Sequence, residues 1–288
     1  MANGPGSGAR TRRWRSDRAR VEGLLGASGP GRAAVPSLVV ALVALFAFAC
    51  TTPTSSGTIT DLAGDIPFAD GEVLRYSLHN DLDEVVGYGD LTVRAEGESW
   101  VLEQRYVEAD PPSGAEPTTD VVVVRVDAAT LKPAGGSRQV DERTRDGRRA
   151  QQGFEWSYGV DGEGRAVITS TRIDGGDREQ REQRLRDHYY DNESSLWLWR
   201  TLRFVEEYEQ QYISVNAIER SQQTVNVRVP LRQTIAVPAG EFDTWRLLIR
   251  NGRAVRTAWV NAAPPHQVVQ WDNGDIVFKL EPSAAASR

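Results

Sequence analysis

From about residue 66 to residue 283 the chain repeats one short pattern, a run of apolar and polar residues in alternation followed by a turn. Residues 72–79 set Leu74, Tyr76 and Leu78 against Val73, Arg75 and Ser77. Residues 85–95 carry Val86, Tyr88, Leu91 and Val93 around Gly87 and Gly89, which predicts a bulge or bend. Residues 100–107 and 121–126 continue the alternation on either side of a Pro/Gly-rich loop at 110–117. Further strands are predicted at 138–143, 151–158, 165–172, 211–218, 223–229, 233–237, 242–250, 253–260, 267–270 and 275–280. Asp146-Gly147, Asp161-Gly162, Asn251-Gly252 and Asn273-Gly274 supply the positive φ that tight hairpins need. One stretch departs from the period of two. In residues 189–205, Leu198, Leu202 and Val205 stand at i, i+4 and i+7, so a helix over about 191–205 is predicted, capped by Asp191 or Asn192. The charged run 177–186 before it is read as solvated, with an extension of that helix left open. The fold class is therefore mainly β: an antiparallel curved sheet or partly open β-barrel with one packed helix.

The first 65 residues obey different rules. Arg10, Arg12, Arg13, Arg15, Arg18, Arg20 and Arg32 precede an uncharged apolar run at 35–49, which is followed by Cys50 and a Thr/Ser/Pro stretch. A positive segment, a short h-region and small residues at the end form an export signal. About 15 apolar residues are fewer than the roughly 20 that span a bilayer. Cys50, the chain's only cysteine, sits where a lipoprotein signal places its acylated residue, although Ala47 and Phe48 depart from the usual lipobox. Ala47-Phe48-Ala49 also fits ordinary signal peptidase, and an uncleaved anchor is the third reading. The organisation is thus a signal at 1–49, a flexible tether at 50–65, one β-rich domain at 66–283 and a disordered tail at 284–288. Acyl chains such as palmitate on Cys50 would hold an exported domain on the cell envelope, at an outer or outward-facing membrane surface.

Removing the leader sharpens the charge. Of 34 basic and 40 acidic residues, the leader takes seven and two, leaving 27 and 38, a net of −11. That excludes a basic nucleic-acid face and electrostatic docking on anionic lipid. With 8 Trp, 8 Tyr and 7 Phe the chain has ample material for a core.

Several landmarks recur in order: residues 68–76 (FADGEVLRY) and Gly87; Leu131-Lys132-Pro133; Tyr190-Asp191 through Ser194 and Leu196, then Arg200-Thr201-Leu202; residues 237–244 (VPAGEFDT); Trp259; and residues 263–269 (APPHQVV). In these the chain resembles the exported bacterial family known as domain of unknown function 3108. The resemblance implies an exported, mostly β protein, often lipid-anchored, without an assigned activity. By analogy of architecture it extends to half-barrel lipoprotein carriers, whose curved sheet and helix enclose an apolar cavity.

Candidate chemistry is sparse. The histidines are His79, His188 and His266, with no paired ligand spacing, so no metal site and no cofactor are predicted. Asp187, His188, Asp191 and Glu193 can be drawn as a metal cluster, but a solvated helix entry is the reading adopted. Residues 159–164 (GVDGEG) are a turn, since no Lys and no helix follow. The rings of Trp197, Trp199, Trp245, Trp259 and Trp271, with His266, are the candidate lining of a pocket for a lipid or other apolar ligand, set against plain core packing. The expected function is a non-catalytic, lipid-anchored envelope protein that binds an apolar or amphipathic molecule or an envelope partner. The alternatives are a structural interaction module and, behind it, an envelope hydrolase.

Overall fold

A computed structural model describes residues 58–144 and 146–283. The signal, Cys50 and the 284–288 tail lie outside the described residues. Among the described residues fifteen strands form one sheet: β1 (Val73–His79), β2 (Val85–Glu96), β3 (Ser99–Glu108), β4 (Thr119–Asp127), β5 (Pro133–Arg143), β6 (Arg149–Val160), β7 (Ala166–Asp174), β8 (Asp177–Arg184), β9 (Tyr189–Asp191), β10 (Tyr208–Asn216), β11 (Ser221–Val237), β12 (Gly240–Asn251), β13 (Ala254–Asn261), β14 (Val268–Asp272) and β15 (Val277–Leu280). Their spatial order is 8-7-6-5-4-3-2-1-15-14-13-12-11-10-9, and β1 pairs with β15 at the middle. Every ladder is antiparallel except β9–β10. The mainly β, antiparallel, open sheet expected from the alternation is what forms.

The period of two decides which side chains meet the core. Along β4 Asp120, Val122, Val124 and Val126 are buried while their neighbours are not, and along β11 Val225, Val227 and Val229 repeat this. The strands expected at 223–229 and 233–237 are one long β11, because its register shift at Pro230 sits between Arg228 and Leu231, where a missing N–H is tolerated.

Two differences from the sequence reading concern the middle of the chain. The run 177–186 is not helix: Gly175 and Gly176, both with positive φ, turn β7 back as β8. β8 is almost wholly exposed and charged, which suits an edge strand. The predicted helix is also shorter. Tyr189, Tyr190 and Asp191 are drawn into parallel pairing with β10, and only residues 192–201 are helical. They form a 3-10 turn, one α-turn α1 (Ser195–Leu198) and a second 3-10 turn, after which Leu202 is extended.

The sheet curls. β8 and β9 are its two outermost strands, yet only residues 185–188 join them, so their ends lie within about 18 Å. Side chains bridge the resulting seam: Arg220 Nη1 to Glu179 Oε1 at 3.0 Å, Gln222 Nε2 donating to the Arg184 carbonyl at 2.6 Å, and Arg186 N–H donating to Gln222 Oε1 at 2.9 Å. The helical segment fills the inner face and reaches strands of both halves. Trp199 packs on Trp271 of β14 at 4.8 Å and donates to Tyr212 of β10 at 3.3 Å, while Trp197 is 1% exposed. The packed body begins before residue 66: Ile59 bridges to Gln211 and Leu62 joins the core, so the last residues of the stretch read as tether belong to it.

Candidate functional site

Glycine makes room for the first element of the site. A Cβ on Gly136 of β5 would stand 2.5 Å from the Trp156 ring and 2.6 Å from the Val123 carbonyl, so the indole lies directly over the backbone. From there Trp156 Nε1 donates to Asp191 Oδ2 at 2.7 Å. Tyr158, two residues on and therefore on the same face, donates to the same oxygen at 2.8 Å and stacks on Tyr189. Asp191 Oδ1 accepts from Glu193 N–H at 2.8 Å, so the carboxylate also caps the helical segment. It is 0% exposed. Burial, reinforced by the neighbouring Glu193 charge, raises its pKa to about 7 against the three hydrogen bonds that favour ionisation. The polar surround continues through Gln104, which donates to the Glu193 carbonyl and accepts from Tyr106, and through the forked Arg138–Asp120 pair at 2.8 and 2.5 Å.

Trp156 has a second side. With Phe154, Gln152, Ser170, Arg172 and Arg220 it lines a cleft of about 200 Å³ between β6–β7 and the β10–β11 turn, directly at the seam. Asp191 therefore sits one indole behind a solvent-facing cleft. Burial and the Glu193 charge favour the neutral acid, so this carboxyl keeps its proton to higher pH than an exposed aspartate does.

Three further polar clusters have structural explanations. Arg200, 2% exposed, is forked onto Glu72 at 2.5 and 2.9 Å, donates to the Pro265 and His266 carbonyls at 2.9 and 3.1 Å, and lies 5.2 Å over Phe68. It fastens the end of the helical segment to the approach to β1. Lys132 contacts Asp61, sits 4.1 Å over the Tyr190 ring and donates to the Tyr189 carbonyl. Burial opposes ionisation of Asp61, but Lys132 and His188 outweigh it and hold the carboxyl below its ordinary pKa. Ser77, His79 and Asp83 make a Ser–His–Asp chain, with His79 Nε2 3.0 Å from Ser77 Oγ and Nδ1 2.9 Å from Asp83 Oδ1. The Ser77 hydroxyl belongs to a residue 1% exposed, so this chain does not present it to solvent.

The residues drawn from sequence as one pocket lining divide between two faces. Trp197, Trp199 and Trp271 are buried among core side chains, and Trp245 lies on the same inner side, stacked on Phe204. Trp259 is cross-strand to Arg246 and Gln270, on the opposite face, where its buried Nε1 has no partner among the described atoms. His266 packs on Phe204 at 4.9 Å, its Nδ1 2.9 Å from the Asn261 carbonyl. Asp187, His188, Asp191 and Glu193 do not come together as a metal cluster, and no group of metal-ligating side chains occurs among the described residues. Nor is Asp191 part of a solvated helix entry; His188 is turned to Asp61, while Asp191 is sealed in the core. Sequence reasoning passed over Trp156 and Tyr158. Their signal was the i, i+2 spacing that puts both rings on one face of a strand.

A family model described as "Protein of unknown function (DUF3108)" matches residues 75–281. Among solved structures, a Bacteroides fragilis protein described as a "putative exported protein with YmcC-like fold" is 12% identical, covers 76% of this chain and 98% of its own, and superposes with a TM-score of 0.30. No curated protein matches the chain.

Proposed function

Because the chain belongs to the DUF3108 family, whose description assigns no activity, we propose from its own geometry a non-catalytic envelope protein, exported and lipid-anchored through Cys50, that takes up an amphipathic molecule at the seam of its curled sheet. The observation that carries this reading is how the seam is closed. Elsewhere neighbouring strands are joined by backbone ladders, but β8 is tied to the β10–β11 turn by side chains only. Exposed ion pairs of this kind contribute about 0–1 kcal/mol each, so parting them costs far less than breaking a ladder. Behind them lie Phe154, Trp156, Ala217 and Ile218, an apolar wall leading toward the core. The 200 Å³ cleft is smaller than the roughly 300–1,000 Å³ of a typical ligand site, so uptake of an acyl chain involves opening of the seam.

The test is native mass spectrometry of the full protein extracted from membranes and stripped of lipid, then titrated with a lysophospholipid. One bound equivalent is expected, with a change in Trp emission that Trp156→Phe abolishes. Neither adduct nor emission change would sink the ligand reading and leave the interaction module. That second reading draws on β8, whose outer edge pairs with no strand among the described residues.

A further inference from the structure

The N-terminal segment leaves the sheet in a defined direction. Ile59 bridges Gln211 in parallel, and Thr60 N–H donates to the Gln211 carbonyl at 3.1 Å. Followed back toward Cys50, the chain at Ile59 runs the way β10 runs back toward Tyr208, about 10 Å away. Eight residues separate Cys50 from Ile59, nine chain steps with a reach of at most about 32 Å. At that end of β10 the core's aromatic margin comes to the surface: Phe204, Tyr208 and Trp245 pack on the core but stay half-buried. Val205 is 42% exposed in the loop before β10. Its neighbour Phe204 stacks on half-buried Trp245 at 6.3 Å, and the cross-strand Arg232 lies over that indole at 5.0 Å. Tyr208 adds a half-buried ring.

We propose that Val205, Phe204, Trp245 and Tyr208 form a surface that rests in the headgroup region of the bilayer carrying the anchor. This rests on the reading of Cys50 as the lipidated residue. The chemistry suits an electroneutral membrane. Glu207 is paired with Arg228 and Asp243 with Arg232, while Arg203 and Glu206 offset each other on the exposed rim. Trp and Tyr, with an apolar body and a polar edge, are the side chains that settle at such an interface. Acyl chains on one residue hold a domain at the membrane without orienting it, and a second contact of the folded surface fixes that orientation.

The experiment uses the full protein reconstituted in phosphatidylcholine vesicles with brominated acyl chains, with intact mass read on the same sample. Bromine quenches indole at short range, so quenching of the parent that falls at least threefold in Trp245→Phe, and likewise in Val205→Asp, is the expected result. Quenching unchanged in both variants would overturn the proposal even if Cys50 carries lipid. An unlipidated Cys50 with Trp245-dependent quenching intact would remove the anchor reading and leave the docking surface standing. Concentration-dependent dimerisation in detergent, lost in the same two variants, would assign the patch to a second copy and overturn it too. Circular dichroism confirms that each variant retains its fold.

Discussion

Asp191→Asn isolates the buried carboxylate, and its effect should change sign with pH. In the folded protein burial pushes this group up to about 7, against 3.8 for an ordinary aspartate. Below pH 4 both states are protonated and the site costs nothing. Between pH 4 and 7 the unfolded chain ionises while the folded one keeps its proton, so stability falls as pH rises, and above 7 the loss is complete. A gap of about three pKa units at 1.36 kcal/mol each corresponds to about 4 kcal/mol. Asparagine removes that dependence but cannot accept from Glu193 N–H, Trp156 and Tyr158 all at once, since one of its two terminal atoms is a donor. Losing one such buried bond costs about 1–2 kcal/mol at every pH. The variant should thus be about 1–2 kcal/mol less stable than the parent near pH 4 and about 2–3 kcal/mol more stable near pH 8, crossing near pH 5. Urea titrations followed by tryptophan emission and far-ultraviolet dichroism at half-unit pH steps measure this directly. A difference that stays constant from pH 4 to 8 would refute the assignment of a proton to Asp191.

Four further outcomes follow from the same geometry. Glu193→Gln removes the second cause of the raised Asp191 pKa, so the carboxyl resonance of Asp191 should titrate at lower pH in carbon-detected spectra. Arg200→Ala leaves Glu72 without its fork and should cost about 3–5 kcal/mol in denaturant titration, a loss under 1 kcal/mol counting against the fastening role. Gly136→Ala drives a Cβ into the Trp156 ring and the Val123 carbonyl; about 1–3 kcal/mol of destabilisation with altered Trp emission is expected. Arg220→Glu should leave global stability within about 1 kcal/mol but accelerate amide exchange in β8 selectively, and uniform exchange rates would show that the seam does not open locally.

The strands were legible because their determinants are local. Alternating burial, as in β4, needs only a period of two, and Asn251-Gly252 or Asn273-Gly274 announces a hairpin through the φ it permits. The order of the landmark residues was legible for the same reason. The missed β8 shows the limit. Its side chains carry no apolar stripe to read, and it is a strand because Gly175-Gly176 lays it against β7, where the backbone ladder holds it. The helix was over-read because its i, i+4, i+7 spacing ignores competition. Tyr189 to Asp191 gain a ladder with β10, a partner that lies about two dozen residues ahead.

Local pattern was thus enough for the strand-and-turn architecture, the acidic balance of residues 50–288 and the position of the one cysteine. Tertiary contacts alone bury Asp191 and raise its pKa, divide the aromatic set between two faces and bring the sheet's edges together at a seam. Each of these depends on residues remote in the chain coming within a few ångströms. Desolvation, charge coupling and closure are properties of that proximity, and a linear pattern does not encode them.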